Sequence, residues 1–285
     1  MEQGKYYKKI DPSNKSSLNL KEVFKYRDLI DLLVKREFIS KYKQTILGPA
    51  WAIIQPLLTT VVFTFIFGNV AGLADCGAVP TFLFYMCGNV FWQFFSTCLT
   101  DTSNTFINNA NIMGKVYFPR LCVPISTTIS ALISFGIQFV MFIIFLVICL
   151  FIPNYSIGIN GLALLLPLHI IQLALLGMGC GIIIASCTTK YRDLRFLVSF
   201  GVQLWMYASP IAYSLNIFRN KILSTIIRIN PVTPIIEMIR YGFLGKEAGS
   251  VIWGYYGLSW IITIVILVIG IRLFSKVEKT FMDMV

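Results

Sequence analysis

The run from Leu121 to Thr189, LCVPISTTISALISFGIQFVMFIIFLVICLFIPNYSIGINGLALLLPLHIIQLALLGMGCGIIIASCTT, contains no Asp, Glu, Lys or Arg. A membrane-crossing helix needs about 20 mostly apolar residues, so this run is long enough for more than one crossing. Turn chemistry cuts it at Pro153-Asn154-Tyr155-Ser156 and again at Gly158, Asn160 and Gly161. It reads as two crossings joined by a short hairpin.

Four more stretches lack charge: Gln44–Ala74, Cys76–Thr100, Phe196–Phe218 and Ala248–Ile271. Together they predict an all-α membrane protein with six transmembrane helices, near 51–72, 79–100, 121–151, 161–187, 195–216 and 250–273. Continuous apolarity excludes a transmembrane barrel, whose strands alternate. Composition agrees. Of 285 residues, 56% are hydrophobic and 13% charged, against about 25% charged in soluble domains. Mean hydropathy is +0.75. A soluble fold needs a polar shell around its core, so a soluble enzyme and a disordered chain are both excluded. Residues 1–19 are polar, with no apolar h-region of a signal peptide, and are expected to form a flexible tail.

Lys and Arg near span ends set orientation. Eleven precede the first span; Lys115 and Arg120 follow the second; Lys190, Arg192 and Arg195 follow the fourth; Arg272, Lys276 and Lys279 end the sixth. All fall on one side, which places both termini in the cytoplasm. The segment 217–249 breaks the rule, carrying Arg219, Lys221, Arg228, Arg240 and Lys246 on the outer side.

Three connecting segments carry more than turns. Residues 20–45 predict an amphipathic cytoplasmic interface helix. Asn19 and Glu22 have capping-box spacing, and Leu20, Val23, Phe24, Ile30, Leu33, Val34 and Phe38 recur at helical spacing. Asp31/Lys35 and Glu37/Lys41 are i,i+4 pairs on the other face. Such a helix lies in the membrane interface, either as an anchor or as a lever for a cytoplasmic partner. Residues 101–120 are polar and Asn-rich, yet include Ile107, Ile112, Met113, Val116, Tyr117 and Phe118. They form a solvated loop or, on the strength of those apolar residues, a docking surface. In 217–249, Thr233 can cap, Pro234 fits a first helical position and Gly245 a stop. A helix of about eleven residues is too short to span and suits a re-entrant element, which must be surrounded by protein or a water-filled cavity. There Arg228, Arg240 and Glu237 can pair within protein.

The missing chemistry is informative. There is no GxxxxGK[ST] phosphate loop. No Asp or Glu lies within the six core spans, where ion-coupled transporters place carboxylates or broken helices. His169 stands alone in a span, more often a helix–helix hydrogen-bond partner than a proton relay. The seven cysteines show no CxxC and no Cys/His cluster, so neither a disulfide framework nor a metal site is expected, and no catalytic residues are assigned. Aromatics near span ends form an interfacial belt or line a pore on which sugar C–H faces can rest.

The order Arg27-Asp28-Leu29, Lys35-Arg36-Glu37-Phe38, Lys41-Tyr42-Lys43-Gln44-Thr45-Ile46-Leu47-Gly48-Pro49-Ala50-Trp51 and Gln55-Pro56 resembles the opening of type 2 ABC exporter permeases for bacterial surface polysaccharides, the O-antigen exporters above all. The likeness continues through Val116-Tyr-Phe-Pro-Arg120, Lys190-Tyr-Arg-Asp-Leu-Arg195, Ser209-Pro210 and Asn230-Pro231 to Phe274, Glu278, Phe281 and Asp283. It runs from about residue 20 to the end. The resemblance implies a permease of the bacterial cytoplasmic (inner) membrane, working as a homodimer with two copies of a separate ABC ATPase that binds ATP and Mg. This chain itself then holds no cofactor. The implied cargo is a lipid-linked glycan, with membrane lipids as the other contacts and no nucleic acid. Teichoic-acid or capsule export are alternatives within the class; a membrane enzyme acting on lipid-linked sugars is the alternative outside it.

Residue roles carried by the resemblance are these. The ATPase docks on Asn108, Asn109, Ile112, Met113, Lys115, Val116, Tyr117, Phe118 and Arg120. Lys35, Arg36, Lys41, Tyr42 and Lys43 belong to the interface helix and the substrate entrance, where anionic headgroups would attract the cations equally well. Trp51, Phe63, Phe67, Tyr85, Trp92, Trp205 and Tyr207 are candidate channel aromatics. Pro231, Pro234, Glu237 and Arg240 form the exit gate.

Overall fold

A computed structural model describes residues 20–43, 45–109, 112, 118–153, 155–188, 194–218 and 220–281. Five helical runs are long and apolar enough to cross a membrane: Gly48–Val70, Thr81–Ser103, Cys122–Leu150, Gly161–Thr188 and Trp253–Lys276. The helices are α1 (Leu20–Lys25), α2 (Arg27–Tyr42), α3 (Trp51–Phe63, continued by a π-helical segment, Thr64–Val70), α4 (Thr81–Ser103) and α5 (Thr105–Asn108). They are followed by α6 (Cys122–Leu150), α7 (Leu166–Thr188), α8 (Leu194–Tyr207), α9 (Lys221–Ile229), α10 (Val232–Leu244) and α11 (Trp253–Phe281). No strand occurs among the described residues.

Burial orders the bundle. The α4 run is 78% buried, whereas those of α3 and α11 are 22% buried. So α4 is the central post, and α3 and α11 leave apolar faces open. Helix α7 wedges between α4 and α11 because glycines remove the side chains that would separate them. A Cβ on Gly181 would lie 2.7 Å from Leu99 O and 2.5 Å from Thr102 Cβ, and one on Gly179 would lie 3.1 Å from Leu267 Cα. Close backbone approach through small residues replaces the hydrophobic drive that lipid removes.

The chain departs from expectation in four places. The fifth predicted span, 195–216, is helical only to Tyr207. Its 14 residues rise about 21 Å, short of the roughly 30 Å hydrocarbon core. Pro210 has no amide to donate and disfavours helix at Ser209, so residues 208–214 turn instead. The 217–249 segment holds two helices: α9, capped by Asn220 Oδ1 on Ile222 N at 2.9 Å, and α10. They meet at 94° and together form a broken span or re-entrant loop. Thr233 is not the cap of α10, which begins at Val232, where Asn230 Oδ1 accepts from Val232 N at 3.2 Å. The stop at Gly245 holds, with φ 99°. Finally, the predicted N-terminal helix is interrupted at Tyr26. Val23, Leu33 and Val34 of its apolar face are buried but Phe24 is exposed, and the Asn19–Glu22 box falls outside the described side chains.

Both ends of the α9–α10 pair are satisfied. The last carbonyls of a helix lack intrahelical donors. Here the 155–160 hairpin supplies them: Gly158 N to Leu244 O at 3.2 Å, Asn160 N to Gly242 O at 2.9 Å, and Asn160 Nδ2 to Tyr241 O at 3.1 Å. The turn residues at 158–160 thus cap a helix far away in sequence.

Candidate functional site

Two polar clusters stand at opposite ends of α4. The first surrounds the α9–α10 pair. Arg240 is fully buried. Its Nη1 donates to Pro210 O at 2.5 Å and its Nη2 to Ile211 O at 3.2 Å. The guanidinium stacks on Phe84, 3.7 Å from the ring centroid, and lies 3.8 Å from Glu237 Oε1. Gly88 makes this possible, since a Cβ there would fall 2.5 Å from Nη2. Glu237 Oε2 in turn accepts from Ser250 N at 3.0 Å and from Ser250 Oγ at 2.9 Å. So one ion pair locks the turn after α8, helix α10 and the approach to α11 against α4.

Asn230 is the neutral counterpart at the elbow. Its Oδ1 accepts from Trp205 Nε1 at 3.0 Å, and its Nδ2 donates to Ser209 Oγ at 2.8 Å and Ala208 O at 3.3 Å. Pro231 O accepts from Ser259 Oγ at 2.6 Å, and Ser259 Oγ accepts from Gln172 Nε2 at 2.8 Å. The Ser209-Pro210 and Asn230-Pro231 dipeptides therefore meet in space. Pro234 is buried within α10. His169 Nδ1 lies 3.0 Å from Tyr256 Oη, a helix–helix bond between α7 and α11, as the commoner use of a lone membrane histidine has it.

The second cluster joins α2 to the far end of α4. Lys41 Nζ reaches Asp101 Oδ2 at 3.0 Å rather than Glu37, so the expected Glu37/Lys41 pair is replaced by a contact between helices. Lys35 and Asp31 do pair, at 2.8 Å on the exposed face. Arg36 donates to Asn109 Oδ1. Burial, and then the Asp101 carboxylate, push the Glu37 carboxyl up to about 7, while Arg36 and Lys41 pull the other way. Tyr42 Oη sits 3.4 Å from Ser134 Oγ of α6. Lys43 closes α2 and is exposed.

In the 101–120 segment, Asn108 is exposed, Ile107 and Ile112 are half-buried, and Asn109, Phe118 and Arg120 are buried. Met113, Lys115, Val116 and Tyr117 lie outside the described residues. Phe118 is thus not on an open docking face: it joins a small second core with Val23, Leu33, Phe106, Cys122 and Phe274. Its apolar surface is used to tie the segment to α2, α6 and α11.

The aromatics divide by burial. Phe63, Tyr85 and Trp92 are buried inside the protomer, where Phe63 and Tyr85 meet edge to face at 6.2 Å and Tyr85 Oη donates to Ala212 O at 3.3 Å. Their rings belong to the core. Phe67 and Trp205 are half-buried, and Trp51 and Tyr207 are exposed. Sequence reasoning missed Asn230, Ser209, Gln172, Ser259 and Asp101. The two X-Pro dipeptides were the available signal for Ser209 and Asn230, without a role.

The chain is a multi-pass helical bundle with a helix pair bent by 94° before its last span. Residues 28–244 match the ABC-2 type transporter family, and the chain belongs to it. It is a permease-type transport subunit. Among curated relatives, two Klebsiella pneumoniae proteins named O-antigen export system permease protein RfbA are 28% and 27% identical over 272 residues, covering 95% of this chain and 99% of each relative. A Myxococcus xanthus protein of the same name is 24% identical over 219 residues, covering 76% of this chain and 80% of the relative.

Proposed function

We propose that this chain is the permease subunit of an ATP-driven exporter that moves lipid-linked, O-antigen-like surface polysaccharide across the bacterial inner membrane. The end-to-end correspondence with two O-antigen export permeases carries the reading. The energy source is an ABC ATPase in trans, since the chain has no phosphate loop of its own. The permease acts as a homodimer with two ATPase copies, and the open apolar faces of α3 and α11 leave room for a second protomer. Both termini are cytoplasmic, and α2 lies at the cytoplasmic interface. The 101–120 segment receives the ATPase, and the α9–α10 pair closes the outer exit around Pro231, Pro234, Glu237 and Arg240. Of the aromatics, Trp51 and Tyr207 are placed to meet the glycan, because a passing chain can touch only exposed rings.

Affinity purification of the tagged chain from its native membrane in mild detergent tests this. The expected result is a stoichiometric P-loop ATPase, together with loss of surface polysaccharide when the chain is deleted. A monodisperse chain that brings no ATPase even with nucleotide and crosslinking, and whose deletion leaves surface glycan intact, would overturn it.

A further inference from the structure

Residues 72–79 form a strap between α3 and α4, and its hydrogen bonds to other segments all go to the frame of the α9–α10 pair. Gly72, with φ 63°, ends the π-helical continuation of α3, and Leu73 N donates back to Phe67 O at 2.8 Å. Beyond it the strap has no helix or strand of its own. Leu73 O accepts from Ser214 N at 3.0 Å, in the turn that precedes α9 and that Arg240 holds through Pro210 O and Ile211 O. Ala78 O accepts from Ser156 N at 3.3 Å, in the hairpin that caps α10. Ala78 N donates to Glu247 Oε2 at 2.7 Å, in the turn that follows α10. The strap is thus tied to the segments before and after the bent pair.

Glu247 is the one side chain among these ties. An amide on a carboxylate is a charge-assisted bond. Gly77 makes room for it: a Cβ there would lie 2.7 Å from the Glu247 carboxyl carbon, and φ is 55°, which disfavours any side chain. Two separate demands for glycine coincide at one contact. Yet the contact is exposed, so water competes for both partners and the net worth is that of an ordinary hydrogen bond. The rest of the strap adds little. Only Cys76 and Val79 are buried, while Gly72, Asp75, Gly77 and Ala78 are exposed. Segments with few buried contacts and exposed bonds open locally, well below the cost of global unfolding.

We infer that residues 72–79 are a releasable clamp on the α9–α10 pair, pivoting at Gly72 and clasped by Glu247 on Gly77-Ala78, that opens while the bundle stays folded. Opening frees the turns before α9 and after α10 together. On the reading proposed above, where that pair closes an exit, the clamp is what holds it shut. The test reads the chain alone, so its failure would leave the export reading standing.

Cys76 reports the motion. It is 3% exposed, and its Sγ donates to Val79 O at 3.4 Å, so a maleimide reaches it only when the strap lifts. Purified full chain in mild detergent is pulsed with N-ethylmaleimide, and each labelled site is assigned by peptide mass. Wild-type Cys76 is expected to label steadily under conditions where Cys87, buried in α4, stays unlabelled. Glu247→Ala is expected to raise the Cys76 rate about fivefold, the worth of one exposed hydrogen bond, and Gly77→Ala to raise it at least as much. The double variant gains little over Gly77→Ala, because both substitutions undo one clasp. Asp75 and Glu247 both act electrostatically on the Cys76 thiol. Asp75→Asn therefore removes a charge while leaving the clasp, and its rate is expected near wild type. The proposal is overturned by Cys76 as protected as Cys87 in both wild type and Glu247→Ala, which makes the strap a fixed loop. It is equally overturned by wild-type Cys76 labelling as fast as in urea, or by Asp75→Asn matching Glu247→Ala.

Discussion

Arg240 and Lys41 both bind carboxylates beside the same helix, and they do opposite things there. Arg240 meets α4 at Phe84 and Gly88 with its guanidinium wholly buried. Lys41 meets α4 at Asp101 with both side chains more than a third exposed. From Phe84 to Asp101, α4 rises about 25 Å. At one end charge is withdrawn from solvent, and both terminal guanidinium nitrogens are committed to holding a turn in place beside a broken helix. At the other end charge stays in contact with water and can be released at little cost. The difference teaches that one pair fixes architecture while the other leaves α2 free to re-seat. An exporter needs both: a rigid frame at its broken-helix end and a compliant one beside the segment proposed to receive the ATPase.

Removing Arg240 tests the rigid end most severely. Arg240→Met leaves Glu237 buried without its cation and strips Pro210 O and Ile211 O of their donors. Breaking such a buried pair costs about 3–5 kcal/mol, a large share of a domain's stability. The variant is expected to lose its monodisperse peak after mild heating, measured by fluorescence-detected size exclusion. Wild-type thermostability would break the comparison outright.

Asn230→Ala asks whether the rigid end depends on charge or on buried hydrogen bonding in general. The substitution deletes the bonds to Trp205, Ser209 and Ala208. At about 1 kcal/mol each, and with the Trp205 indole left unpaired, the loss is about 2–3 kcal/mol. Asn230→Asp keeps the acceptor for Trp205 and Val232 N but not the donor, so its melting temperature is expected between those of wild type and Asn230→Ala. If Asn230→Ala melts with wild type, the seam is ionic only.

Much of this architecture could be read in advance, and the failures have physical reasons. Five apolar runs, the 153–161 hairpin and the non-spanning α10 were legible because turn residues and missing charge mark them directly. The early end of α8 was not, because 208–214 remains almost as apolar as a span and only Ser209-Pro210 signals the turn. The aromatics could not be sorted, because in a membrane chain inside and outside are both apolar. Phe63 and Trp51 look alike in sequence, yet one is core and the other surface. The buried pair Glu237–Arg240 was legible as a charge anomaly within residues 217–249. Its partners Gly88, Pro210 and Ile211 were not, since they carry no charge.

At the compliant end, pH is the sharper probe. A carboxyl pushed up to about 7 favours the folded state when protonated, so its contribution is whole below about pH 4.5 and is lost as pH rises through about 7. Between pH 5.5 and 8, wild type is expected to lose about 1 kcal/mol more than Glu37→Gln, once the solvent reaching a half-buried side chain is allowed for. Thermal melts at the two pH values check this. Parallel losses in wild type and Glu37→Gln would remove Glu37 from the account.

The smallest effect carries the comparison's meaning. A double-mutant cycle between Lys41→Gln and Asp101→Asn is expected to give a coupling below about 1 kcal/mol, the range of solvent-exposed ion pairs, and to shrink further in high salt. Lys41→Gln has a second consequence. Lys41 is one of the two cations that pull the Glu37 carboxyl down, so its removal is expected to move the pH-dependent loss of stability to higher pH. A neutral Asp101→Asn should move it lower, because the Asp101 carboxylate raises Glu37. Opposite shifts from two substitutions at one ion pair are the mark of a titrating junction rather than a fixed brace. A coupling above about 2 kcal/mol, insensitive to salt, would instead make the α2 end as rigid as the Arg240 seam, and the contrast between the two ends of α4 would be gone.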